Sequence, residues 1–184
     1  MKSIQKAIAK VLDSGNGIPL ALKQRTSEII LHACERHTEP FGLFVILGWR
    51  KRWQGFAITS DRSQDLFQGR NIHHPPAIGQ HRIATTRHFD GAILVNKDGE
   101  ILHSGVMLEG LRPREAAAKL NPGNFDDLSE QFGFNWKVHT RHLTAITASF
   151  QFPGTTVFTV SEETRRIHIF ENGRILYASP HLEV

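Results

Sequence analysis

The stretch Val138 to Ala178 constrains this chain more than any other, because the period of its apolar residues changes within it. Leu143, Ile146 and Phe150 recur at helical spacing, and Val157, Phe158 and Val160 then form a short β-rich run. Ile167 and Ile169 alternate with polar residues as in a half-buried strand, and Asn172-Gly173 is a strong two-residue hairpin turn. The expectation is helix, strand, strand, strand, with Ser161-Glu162-Glu163-Thr164 closing the first hairpin. That order puts Thr140-Arg141-His142 at a helix start and Ser161 and Glu163 at a strand end, where proteins commonly build ligand sites.

Phe41 to Leu47 (FGLFVIL) is a continuous apolar run of strand length, which marks a central strand, and Gln54 to Thr59 is expected to pair with it. Ala92-Ile93-Leu94-Val95 is a second buried strand, turned back by Lys97-Asp98-Gly99-Glu100 into Ile101 to Met107. Ile4, Ala7, Ile8, Val11 and Leu12 mark a first amphipathic helix, ended by Ser14-Gly15-Asn16-Gly17. A second carries Leu22, Thr26, Ile29, Ile30 and Ala33 on one face and stops before Pro40. These helices either pack on the domain or serve self-association. Shorter helices are expected over Ile78 to His88 and Arg114 to Leu120, with an irregular surface loop at Asp61 to Pro76 and a polar segment at Pro122 to Glu130. Arg50-Lys51-Arg52-Trp53 reads as a solvated loop between strands. Hairpins and helical connections together imply a single α/β domain, a mixed central β-sheet flanked by helices, preceded by two N-terminal helices.

The 184 residues, 40% hydrophobic and 22% charged, suit one globular domain with a sizeable core. Nothing in the sequence reads as a membrane span or secretory signal. The single cysteine, Cys34, excludes an internal disulfide and suits a reducing compartment, so a cytoplasmic location is expected. Helical spacing buries Cys34, which favours a core role over a nucleophilic one. Net charge is +4, from 22 basic and 18 acidic residues; this excess permits an anionic ligand without naming one. No basic stripe interleaved with aromatics appears, so nucleic acid is not the expected partner. The 11 histidines are scattered, with no HExxH or Cys/His zinc spacing, and neither a P-loop nor a dinucleotide fingerprint is present.

Any phosphate cradle must therefore be of another kind. Thr140-Arg141-His142 is suited to one, since helix N-terminal amides and the helix dipole favour anions, and a hydroxyl, a guanidinium and an imidazole add donors. The plainer alternative is a threonine cap with Arg141 and His142 in solvent. Ser161 and Glu163, two apart, can face one side, with the hydroxyl for phosphate and the carboxylate for a metal or an arginine; the alternative is a polar hairpin turn. Asp90, before Gly91 and the buried strand, is placed to bind a divalent cation or take a proton from a hydroxyl, or else simply caps the preceding segment.

Asp90-Gly91-Ala92, Thr140-Arg141-His142 and Ser161-Glu162-Glu163, in this order, resemble the diadenylate cyclase (DAC) domain. FGLFVILG, the Phe67-Gln68-Gly69-Arg70-Asn71 loop, DGAILVNKDGEIL and the terminal meander extend the resemblance from about Phe41 to Leu176. The resemblance implies condensation of two ATP molecules into cyclic di-AMP with release of two pyrophosphates, Mn²⁺ or Mg²⁺ as cofactor, and an active site completed by a second protomer. It also implies a catalytic domain over residues 41–184 behind a helical extension over 1–40. By position, Asp90 would activate the 3′-hydroxyl and bind metal, and Gly91, with Ala92, would let the backbone approach the nucleotide. Thr140, Arg141, His142 and Ser161 would hold phosphates, and Glu163 would support the metal or phosphate site. Two departures stand out: His139 where the family usually has glycine, and a longer connection over Leu111 to Trp136. They motivate an alternative, a catalytically silent relative that senses a nucleotide.

Overall fold

The computed structural model describes residues 2–13, 15–36, 41–59, 65–74 and 91–179. The expected helix over Ile78 to His88, and Asp90 itself, lie outside the described residues. Two helices, α1 (Lys2–Leu12) and α2 (Leu20–Arg36), lead into strand β1 (Leu43–Leu47). A 3₁₀ turn (Lys51–Phe56) precedes β2 (Ala57–Thr59), and β3 (Ala92–Val95) and β4 (Ile101–Leu108) form a hairpin. Helices α3 (Pro113–Leu120) and α4 (Leu128–Gln131) follow, then α5 (Thr140–Gln151) and the meander β5 (Thr156–Val160), β6 (Ile167–Glu171) and β7 (Arg174–Ala178).

Among the described residues, seven strands make one mixed sheet in the order β2-β4-β3-β1-β5-β6-β7, with β1 parallel to β3 and every other neighbour antiparallel. Strand β1 is apolar throughout because both faces are covered. Leu43, Val45 and Leu47 point to the layer of α1 and α2, packing with Ile8, Leu12, Leu22 and Ile30. Phe44 and Ile46 point to the opposite layer with Ala145, Ile146 and Ala148 of α5. The N-terminal helices thus pack on the sheet and share its core. Each fully buried Leu or Ile contributes about 1.5–3 kcal/mol to that core. The Asn172-Gly173 turn is as expected, with both residues at positive φ (51° and 73°) joining β6 to β7.

One expectation fails, and another holds only in part. Gln54 to Thr59 does not pair with the Phe41–Leu47 run, because β1 already has β3 on one edge and β5 on the other. Only Ala57–Thr59 is extended, and it pairs with β4 at the sheet margin, Ala57 opposite Leu108. Arg50-Lys51-Arg52-Trp53 does lie between two strands with Lys51 and Arg52 exposed, but it runs into the 3₁₀ turn and its Trp53 is not solvated. Trp53 is buried against Trp49 and Phe152, and the guanidiniums of Arg50 and Arg52 lie 5.3 and 5.2 Å from the centre of its ring.

A buried polar link fastens α2 to the sheet. Lys23 Nζ donates to Glu171 Oε1 (2.9 Å) and to the carbonyl of Leu12 (3.0 Å), and Thr156 Oγ1 donates to the same carboxylate oxygen at 2.6 Å. Both charged side chains are almost wholly out of solvent, at 1% and 3% exposure.

Candidate active site

Strand direction gathers the site. The starts of the parallel pair β1 and β3 lie at one end of the sheet, and antiparallel pairing brings the ends of β5 and β4 to the same place. Gly42, Gly91, Ser161 and Met107 therefore meet there although they are far apart in sequence. Helix α5 begins over this end. The result is an open cleft of about 890 Å³, lined by Gly91, Thr140, Arg141, His142, Ser161 and Glu163 of the sequence motifs. His139, Glu162, Thr144 and the apolar side chains of Phe44, Val106, Met107 and Leu108 complete it.

The α5 N-terminus is set by Val138, which is buried and whose N–H donates to Ser129 Oγ at 3.1 Å. His139, not Thr140, is the N-cap: its backbone is extended (φ −91°, ψ 177°), and no side chain caps the helix. The helix start, with Thr140, Arg141 and His142, lines the cleft without a capping side chain, and the helix dipole lies behind it. Arg141 folds back so that its guanidinium lies over Gly42, where any Cβ would collide with it. Arg141 Nη2 is 4.0 Å from Glu162 Oε2, and His139 Nε2 is 3.3 Å from Glu163 Oε2. The Ser161–Thr164 turn thereby meets the helix start through one pair of opposite charge and one imidazole–carboxylate contact, the second well exposed.

Ser161 holds its turn together: its amide donates to the Arg166 carbonyl (2.9 Å), and its carbonyl accepts from the Arg165 amide (2.9 Å). Its hydroxyl also accepts from the Thr164 amide at 3.3 Å, leaving the O–H as a donor. Arg165 sits at φ 53°, and its guanidinium donates to the carbonyl of Cys34 in α2.

Gly91 has φ 128°, and a Cβ there would lie 2.7 Å from the Gly105 carbonyl carbon and 2.8 Å from the Val106 amide. Glycine is therefore required by the approach of β3 to β4, a reason separate from any ligand. Ala92 is fully buried in the core opposite Val106 and does not line the cleft. His142 touches the cleft, yet its Nε2 is buried and its ring packs edge-on against His168, centroids 4.7 Å apart. Burial, then the positive charge of Arg141, pushes its pKa down to about 4, so the imidazole is neutral at neutral pH. Sequence reasoning missed Gly42, the seat of Arg141, and His168; a glycine at a strand start is the only hint the first gives.

Among the described residues no group of three or more His, Cys, Asp or Glu side chains is arranged to hold a metal. Glu162 and Glu163 offer hard oxygen donors at the mouth, which suits Mg²⁺ or Mn²⁺ held by one or two carboxylates together with ligand phosphates. No helix among the described residues is long and apolar enough to cross a membrane.

The family model for the DAC domain, described as DisA bacterial checkpoint controller nucleotide-binding, matches residues 33–175. No curated protein sequence matches the chain. DacA from Staphylococcus aureus, solved as a double mutant carrying two introduced cysteines, is similar in structure with TM-score 0.51 and 16% identity, covering 98% of this chain and 90% of that one. A hypothetical membrane spanning protein from Bacillus cereus gives TM-score 0.50 and 17% identity over 84% of this chain. This chain spans 61% of that protein's length. At these identities the two structures speak for the fold alone, a mixed α/β domain.

Proposed function

The chain belongs to the DisA bacterial checkpoint controller nucleotide-binding (DAC) family, and from that premise we propose that it condenses two ATP molecules into cyclic di-AMP. The observation that carries the reading is the convergence of Gly91, Thr140–His142 and Ser161–Glu163 on one cleft beneath an uncapped helix start. The cleft has the size of a nucleotide site. Its donors suit a triphosphate: first-turn amides, the Thr140 and Ser161 hydroxyls and the Arg141 guanidinium. The apolar wall of Phe44, Val106 and Leu108 suits a base or ribose.

Asp90, adjoining Gly91, acts in this reading as the carboxylate that takes the proton of the attacking 3′-hydroxyl. Asp90 and Glu163 would hold a Mn²⁺ or Mg²⁺ ion against the phosphates. Such an ion, when bound, neutralises charge on the phosphates and the leaving pyrophosphate. Each protomer carries one ATP, and two clefts meet face to face so that each 3′-hydroxyl attacks the other nucleotide's α-phosphate. Two P–O bonds form, two pyrophosphates leave, and a two-fold axis supplies the reciprocity that one cleft lacks. Rate enhancement comes chiefly from positioning and from charge stabilisation by Arg141 and the helix amides. A homo-oligomer in the cytoplasm follows as part of the same proposal.

The test is incubation with ATP and Mn²⁺ and mass spectrometry for cyclic di-AMP, with Asp90→Asn alongside. Product from the unaltered chain and none from Asp90→Asn is expected; ATP bound without product from either contradicts the reading. A second reading, a silent nucleotide sensor, is favoured by the His139–Glu163 contact, which sets an imidazole against a carboxylate of the cleft where the family usually has glycine.

A further inference from the structure

His168 belongs to none of the motifs above, yet it lies directly behind them. Strands β1, β5 and β6 align Phe44, Thr159 and His168 in one cross-strand row on the α5 face of the sheet. Phe44 lines the cleft, and His142 of α5 sits beside the row. The two imidazoles meet edge-on, planes at 85°, and His168 is 1% exposed. Phe134 packs against both rings, and Phe170 lies parallel to His168 with centroids 5.9 Å apart.

An apolar box of this kind suits a phenyl ring better than an imidazole. Instead, four buried polar atoms have no hydrogen-bond partner among the described residues: His142 Nε2, His168 Nδ1 and Nε2, and Thr159 Oγ1. Buried polar atoms are normally satisfied by protein or internal water, and a buried water commonly takes two to four such partners. Burial keeps both rings neutral, so each has one donor and one acceptor nitrogen and needs a defined tautomer.

We propose that His168 is a positioning residue for the cleft: with Thr159 and an internal water it fixes the orientation of His142 behind the α5 N-terminus. The inference rests on the reading of that N-terminus as the phosphate site. A role in packing alone makes the opposite prediction, because Phe would then replace His168 well and Gln badly.

The experiment compares His168→Phe and His168→Gln in the full chain. Thermal melting is measured beside titration with 3′-deoxy-ATP and Mg²⁺, a nucleotide that lacks the attacking hydroxyl and is not consumed. His168→Phe is expected to melt at or above the unaltered protein yet to bind about ten-fold more weakly. His168→Gln, which retains a donor and an acceptor, is expected to bind within about two-fold of it. Binding by His168→Phe as tight as that of the unaltered protein overturns the proposal, as does an equal loss in His168→Gln. Should the unaltered protein bind no nucleotide, the functional reading fails, and ¹⁵N resonances of the imidazoles decide this inference separately. His168→Phe must then shift the tautomer signal of His142, and an unchanged signal overturns the proposal.

Discussion

His142 and His168 both titrate under the control of their burial. Burial lowers the first from the ordinary 6.5 to about 4 and the second to about 3. As pH falls below 6.5 the unfolded chain takes up protons that the folded chain refuses, so stability declines with falling pH. The loss runs from 6.5 down to about 4 for His142 and about 3 for His168, with roughly 3 kcal/mol at stake for His142 alone. Thermal melts between pH 7 and 4.5 should fall steadily, and His168→Phe should flatten the slope; an unchanged slope would contradict the assignment. His139 gives a second prediction at this scale. Its imidazole is exposed and caps no amide by its side chain, so His139→Gly should bind ATP within about three-fold of the unaltered protein and keep or raise turnover. A collapse of activity in an initial-rate assay would mean that His139 has a task of its own.

At the scale of elements, the attachment of α2 to the sheet turns on Lys23 and Glu171, whose charges satisfy each other with help from Thr156 and the Leu12 carbonyl. Lys23→Met leaves the carboxylate buried without its cation and should cost about 3–5 kcal/mol. Adding Glu171→Leu should recover part of that loss, and urea unfolding of the single and double variants measures both. No recovery would show that the pair is not acting as a unit. The elements themselves were largely legible, because helical and strand periods are local: α5, the meander, the β3–β4 hairpin and the Asn172-Gly173 turn lie where the apolar pattern puts them. Strand partners were less so. The position of β2 depends on β1 having both edges occupied by β3 and β5, which no local pattern records. Nothing local in the sequence marks Lys23 for burial, and only its partner 148 positions away explains it.

At the scale of the molecule, one sheet end collects what the sequence separates. Thr140–His142 and Ser161–Glu163 were readable as candidates because a helix start and a hairpin turn are local features, and they do share a cleft. Gly42 beneath Arg141 and His168 behind His142 were not readable, since each matters only through a neighbour brought by long-range pairing. Ala92 was placed in the right strand but faces the core. In the proposed reading, this assembled cleft holds a nucleoside triphosphate by its α5 end. Calorimetric titration of 3′-deoxy-ATP with Mg²⁺ into the unaltered protein and into Arg141→Ala tests it most directly. One nucleotide per protomer, with affinity reduced about ten-fold or more by Arg141→Ala, is the predicted result. Equal affinity in the two proteins, or no binding to either, would contradict it.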